Sequence, residues 1–312
     1  MRDDFLTILN ESNSIKNEET GEITLISPKI ESNDDLIISS KCKITSNCET
    51  IIVCPCFQII STSASLENIN FESTFQVVES TDVQLIKSNI SQSKDYSAIV
   101  ISKSQNITIK DIEIKDTDSH PAILIVASSS VLAENISISN IENEFLVCKL
   151  LSTLYLKDSN FINSKSNGIS VSENSNIEIS NSKISETIYP AIYVNNSKCK
   201  IENNEINNIQ QNGIVLDMVK SFEINGNKFD HINGSAISII DDSNGIINNN
   251  IISKIDHNGI YVHNHSEVKI CNNNISECKY PGIAILMKSN AKLISNKISA
   301  ISLCGICIRS AG

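Results

Sequence analysis

Tryptophan is missing from the 312-residue chain, aromatic residues make up 4% of it, and its only arginines are Arg2 and Arg309. The formal net charge is −11. A nucleic-acid surface needs a basic face and aromatic stacking platforms, so that class of partner is excluded. With arginine confined to the two ends, no guanidinium is available to a site in the middle of the chain. No apolar run approaches the about 18 residues of a transmembrane helix, and no membrane partner is expected. The opening MRDDFLTILNES has acids where a secretory leader carries bases. Ten irregularly spaced cysteines fit thiols in a reducing compartment; Cys199, for example, stands where Ile177 stands one repeat earlier. A cytoplasmic protein is the expectation.

Isoleucine, serine and asparagine are abundant, with 57, 47 and 39 residues, or 143 of 312. Such a skew points to one unit copied many times. The segments SNGISVSENSNIEISNSKISET, HNGIYVHNHSEVKICNNNISECK and YPGIAILMKSNAKLISNKISAIS are versions of one another. A small residue followed by isoleucine marks each copy, at Gly168, Ala191, Gly213, Ala236, Gly259, Gly282 and Gly305, spaced by 22 or 23. Ala122 and Ala98 hold the same place earlier, and Phe145 and Phe75 hold it less typically.

Within a copy the apolar residues alternate with polar ones: Ile260 and Val262, then Val268 and Ile270, then Ile275. A period of two in β-branched residues selects strands over helix. Three short strands per copy, stacked on near-identical neighbours, predict an all-β fold. It is a single-stranded parallel β-helix, a solenoid of about twelve coils of 22–24 residues. A second column supports the register. Asn204, Asn227, Asn250, Asn273 and Asn296 recur every 23 residues, with Ser182 and Ser159 before them. An amide is both donor and acceptor, so a ladder of asparagines can pass hydrogen bonds from coil to coil.

The run NGIYVHNHSEVKICNNNISECKYPGIAILMKSNAKLISNKIS resembles the right-handed β-helix repeats of the pectin-lyase-like superfamily. It is most similar to the short-coil repeats of F-box-type β-helix proteins and of carbohydrate-binding or sugar-hydrolase β-helix domains. The resemblance runs from about Glu22 to Gly312 and implies right-handed coiling. The recognition helices of the F-box family have no counterpart, so a ubiquitin-ligase role is not implied. The acid pairs, catalytic histidine and basic residue of pectin-type enzymes also have no matching motif.

Residues 1–20 are expected to form an N-terminal cap. Asp3, Asp4, Phe5, Leu6, Ile8 and Leu9 would make a short amphipathic helix over the open first coil. Residues 21–312 form the β-helix domain. Its last coil, ending Arg309-Ser310-Ala311-Gly312, is one strand long, and a further chain or domain is expected over that edge.

The outward positions after the small residue are Ser170, Tyr193, Val215, Ser238, Tyr261 and Ala284, followed two residues on by Ser172, Asn195, Asp217, Ile240, His263 and Leu286. Two readings follow. A non-catalytic binding or scaffold module would present Tyr189, Tyr193, Tyr261, Tyr280 and His257 to a protein or carbohydrate. A carbohydrate-active enzyme would use Asp217, Asp241, Asp242 and His263, with carboxylates on adjacent coils at glycosidase-like separation. The scaffold reading is preferred, because Ile240 and Leu286 interrupt the acidic face. His263 and His265 make one H-x-H pair on or near one strand, where alternate residues share a face, and Asp241 or Asp242 of the preceding coil would be a third ligand, but a single such pair is a weak signal. Cys304 and Cys307 make one C-x-x-C without the second pair of a zinc knuckle, so no metal or cofactor is expected.

Overall fold

The computed structural model describes residues 2–17, 19–91, 96–117 and 120–309. Ser310, Ala311 and Gly312, the end of the expected last coil, lie outside them. The fold is a right-handed parallel β-helix of about twelve coils, built among the described residues from 36 strands and one four-residue helix. It divides into two compact units, residues 1–147 with 151–155 and residues 148–150 with 156–312.

In the second unit each coil contributes a strand to three parallel stacks. Front strands follow the small residue, as in Ile192–Asn195, Ile214–Asp217, Ile237–Ile240 and Ile260–Val262. Middle strands include Lys198–Glu202 and Ser221–Asn225, and rear strands Glu205–Ile209 and Lys228–Ile232. Alternation sets the interior: Ile192, Ile214, Ile237, Ile260 and Ile283 pair in sequence and are fully buried. Burying each such side chain contributes about 1.5–3 kcal/mol. The small residue is a packing requirement, since a Cβ on Gly213 would lie 2.5 Å from the Ala236 carbonyl oxygen.

The asparagine column is fully bonded. Asn227 Nδ2 donates to Asn250 Oδ1 at 3.1 Å, and Asn250 Nδ2 to Asn273 Oδ1 at 2.9 Å. The backbone N–H of each also donates to the next Oδ1, and each Nδ2 reaches a carbonyl of the preceding coil. A serine column, not foreseen from the sequence, does similar work between the front and middle strands. There the N–H of Ser243 donates to Ser266 Oγ, and that of Ser266 to Ser289 Oγ, both at 3.2 Å.

The turn after the front strand accounts for the drift between 22 and 23 residues. In most coils two successive residues there are left-handed: Glu173 and Asn174, Asp241 and Asp242, Asn264 and His265, Met287 and Lys288. In the second unit two coils use one, Asn196 or Met218; the second keeps 23 residues through an added residue, Lys220, before Ser221, which pairs with Lys198.

In the first unit, a strand at Arg2–Asp4 pairs with Asp35–Ile38, and the helix Phe5–Ile8 follows, capped by the Asp4 carboxylate on Leu6 N–H. The expected amphipathic helix is thus one turn long, because the acids that would open it are in a strand. Phe5 is fully buried against Phe57, their ring centroids 5.1 Å apart, and Phe71 and Phe75 complete the group.

Candidate functional site

The front face of the second unit brings together several of the residues singled out above. Register places Tyr193 beside Val215, Val215 beside Ser238, and Ser238 beside Tyr261. Three coil steps of about 4.8 Å separate the two tyrosines, or about 14 Å. Between them Val215 and Ser238 are buried although they point outward.

Asp217 is the polar centre of this face. Its Oδ2 accepts from the Tyr193 hydroxyl at 3.0 Å and from Asn195 Nδ2 at 2.9 Å. Its sheltered Oδ1 has no hydrogen-bond partner among the described residues. Burial, and then the Asp217 carboxylate, hold the Tyr193 phenol above the ordinary tyrosine range, with Asp241 adding to the effect. Burial also raises Tyr261, whose ring stacks on His263 at 5.5 Å and 14°.

The remaining candidates are distributed. Asp241 and Asp242 lie in the left-handed turn after Ile237–Ile240, where Asn264 Nδ2 donates to Asp241 and Asp242 is exposed. Asp217 belongs to a strand and Asp241 to a turn. His265 is left-handed at φ 58°, so it does not share a strand face with His263. Tyr189, His257 and Tyr280 occupy the turns that lead into the front strands. His257 stacks on Tyr280 at 4.4 Å and accepts from Asn258 Nδ2 through Nδ1 at 2.8 Å. Tyr189 is four coil steps from Tyr280, about 19 Å, so the four tyrosines form two separate settings.

The other outer faces differ in chemistry. In the middle stack the outward row runs Glu178, Lys200, Glu223, Ile246, Lys269, Lys292. A groove of about 320 Å³ opens beside the two short turns, lined by Asn174, Asn196, Met218, Lys198 and Lys220. Nothing in the sequence marks it except the 22-residue spacing from Ala191 to Gly213.

Residues 58–231 match the family described as periplasmic copper-binding protein (NosD), and residues 167–312 match the right-handed β-helix region. No curated protein matches the chain by sequence. Among solved structures, the periplasmic alginate epimerase AlgG is 12% identical at a TM-score of 0.58, covering 98% of this chain and 83% of that one. The Azotobacter vinelandii mannuronan C-5 epimerase AlgE4 A-module is 11% identical at 0.57, covering 94% and 91%. The catalytic domain of a GH87 α-1,3-glucanase is 9% identical at 0.56, covering 91% and 64%. At these identities the likeness is one of fold.

The cytoplasmic expectation is corrected by the match to a family described as periplasmic. The thiols on which it leaned have a different cause. Burial pushes Cys148 and Cys278 up to about 12 and Cys54 to about 11, so these groups stay protonated and sheltered in any compartment.

Proposed function

The chain belongs to the periplasmic copper-binding protein (NosD) family, and from that premise we propose that it is a non-catalytic β-helix module that binds a carbohydrate on the front face of its second unit. Copper, the ligand in the family's description, does not fit the residues present. Among the described residues no three His, Cys, Asp or Glu side chains come together to hold a metal ion. The soft donors Cys148 and Cys199 are buried as thiols, and Met218 stands on an exposed turn.

The observation that carries the carbohydrate reading is the pair of half-buried rings, Tyr193 and Tyr261, flanking the shallow positions Val215 and Ser238. An amphipathic ring offers an apolar face for a pyranose and a hydroxyl at its rim. Tyr193, Asn195 and Asp217 are already oriented by mutual hydrogen bonds, which lowers the ordering cost of binding. The glucanase of like fold is described in complex with tetrasaccharides, and the two epimerases by their action on alginate or mannuronan, which supports a saccharide in preference to a protein ligand.

Isothermal titration with a panel of oligosaccharides tests this. Tyr261→Ala should weaken binding by about tenfold, the equivalent of about 1.4 kcal/mol. Binding untouched by both Tyr261→Ala and Tyr193→Ala would remove the face from the proposal. Release of product from any polysaccharide, abolished by Asp241→Asn, would replace the non-catalytic reading with an enzymatic one.

A further inference from the structure

We infer that the front face of the second unit discriminates by charge, taking neutral sugars and rejecting uronates and other anionic ones. This rests on the sugar-binding reading above and names its ligand class. None of the front strands from Ile169–Val171 to Ile283–Leu286 contains a lysine or an arginine. The formal charges on and beside them are Asp217 and, in the turns that follow, Glu173, Asp241, Asp242 and Lys288, four carboxylates to one ammonium. The charge of Asp241 is felt at the Tyr193 hydroxyl, so the turn carboxylate acts on the same surface as Asp217.

The cations in register with Asp217 are Lys149 and Arg309. They stand three and four coil steps away, about 14 and 19 Å. Both distances exceed the Debye length of about 8 Å at physiological salt, so neither compensates a carboxylate laid between the tyrosines. Of the other lysines of this region, Lys288 stands two coil steps beyond Asp242, about 10 Å, Lys220 lines the groove beside the short turns, and Lys198, Lys200, Lys269 and Lys292 belong to the middle stack.

Hydrogen bonding points the same way. Asp217 is an acceptor-only carboxylate whose Oδ2 joins Tyr193 and Asn195 on this face. A sugar hydroxyl supplies a donor, whereas a uronate carboxylate supplies another acceptor and a like charge.

The test compares neutral gluco- and manno-oligosaccharides with oligouronates of equal length, by calorimetry on the full chain. The neutral sugars should bind at least about tenfold tighter at low salt. The gap should narrow to about threefold or less in Asp217→Asn and in the double variant with Asp241→Asn, with circular dichroism confirming the fold. For the wild type it should also narrow in 1 M salt, where the Debye length is about 3 Å. Oligouronates binding as tightly as neutral sugars, or a gap unmoved by salt and by both variants, overturns the charge selection and leaves sugar binding standing. Binding of neither class overturns the sugar-binding reading and this inference with it.

Discussion

Tyr193 carries its environment in its ionisation. Burial and the Asp217 carboxylate raise its pKa, so the native state holds the phenolic proton at pH values where the unfolded chain releases it. That contribution to stability is complete below about pH 10 and is lost as pH rises through the raised value. A spectrophotometric alkaline titration should therefore show tyrosines ionising late. Asp217→Asn should shift one of them earlier while Tyr261 stays late. Alternation made Tyr193, Asp217 and Tyr261 legible as neighbours on one face, because a period of two assigns every second residue outward. It misassigned His265, because the strand ends at Val262 and the backbone turns left-handed at Asn264. Left-handed positions hold asparagine most often but also Met218, Asp242 and Lys288, so residue type alone does not mark them.

Columns do the work at the level of the element. Asn250 Oδ1 accepts from Asn227, and its Nδ2 serves Ile224, Asn248 and Asn273. Asn250→Leu should cost about 1–3 kcal/mol for each buried group left without a partner, seen as a lowered melting temperature. An unchanged melting temperature would mean the ladder adds no stability. Ser243→Ala tests the second column, since Val219 N–H donates to Ser243 Oγ at 2.8 Å and would lose its acceptor. A loss of about 1–2 kcal/mol is expected in the same measurement. The asparagine column was readable because its spacing is a constant 23. The serine column was hidden because spacings of 22, 22 and 24 from Ser175 to Ser243 break the fixed offset and Val219 interrupts the residue type.

Over the length of the chain, each unit stacks its coils around an apolar interior, and its chemistry depends on which thiols that interior encloses. Cys48 and Cys304 are exposed, whereas Cys148, Cys199 and Cys278 are buried. Native protein should label rapidly with a thiol reagent at the first two and at the buried three only as it unfolds. Fast labelling of Cys199 in native protein would contradict the packing. Most of the architecture was legible because repetition states the same instruction many times. The first unit was less so: of its buried phenylalanines, Phe75 and Phe145 keep the spacing of the small-residue column, but Phe5, Phe57 and Phe71 fall outside it.

The turn after the front strand has a consequence for how this molecule can vary. One left-handed residue or two serve equally well there, and the three stacks keep their register through either choice. The turn is thus a joint of adjustable length in an otherwise metered thread. Adding a residue after Asn196 should leave the interior untouched and alter the groove beside Lys198. Inherited insertions and deletions in such a chain would be expected to gather at this corner, and an engineer wishing to graft a loop would begin there.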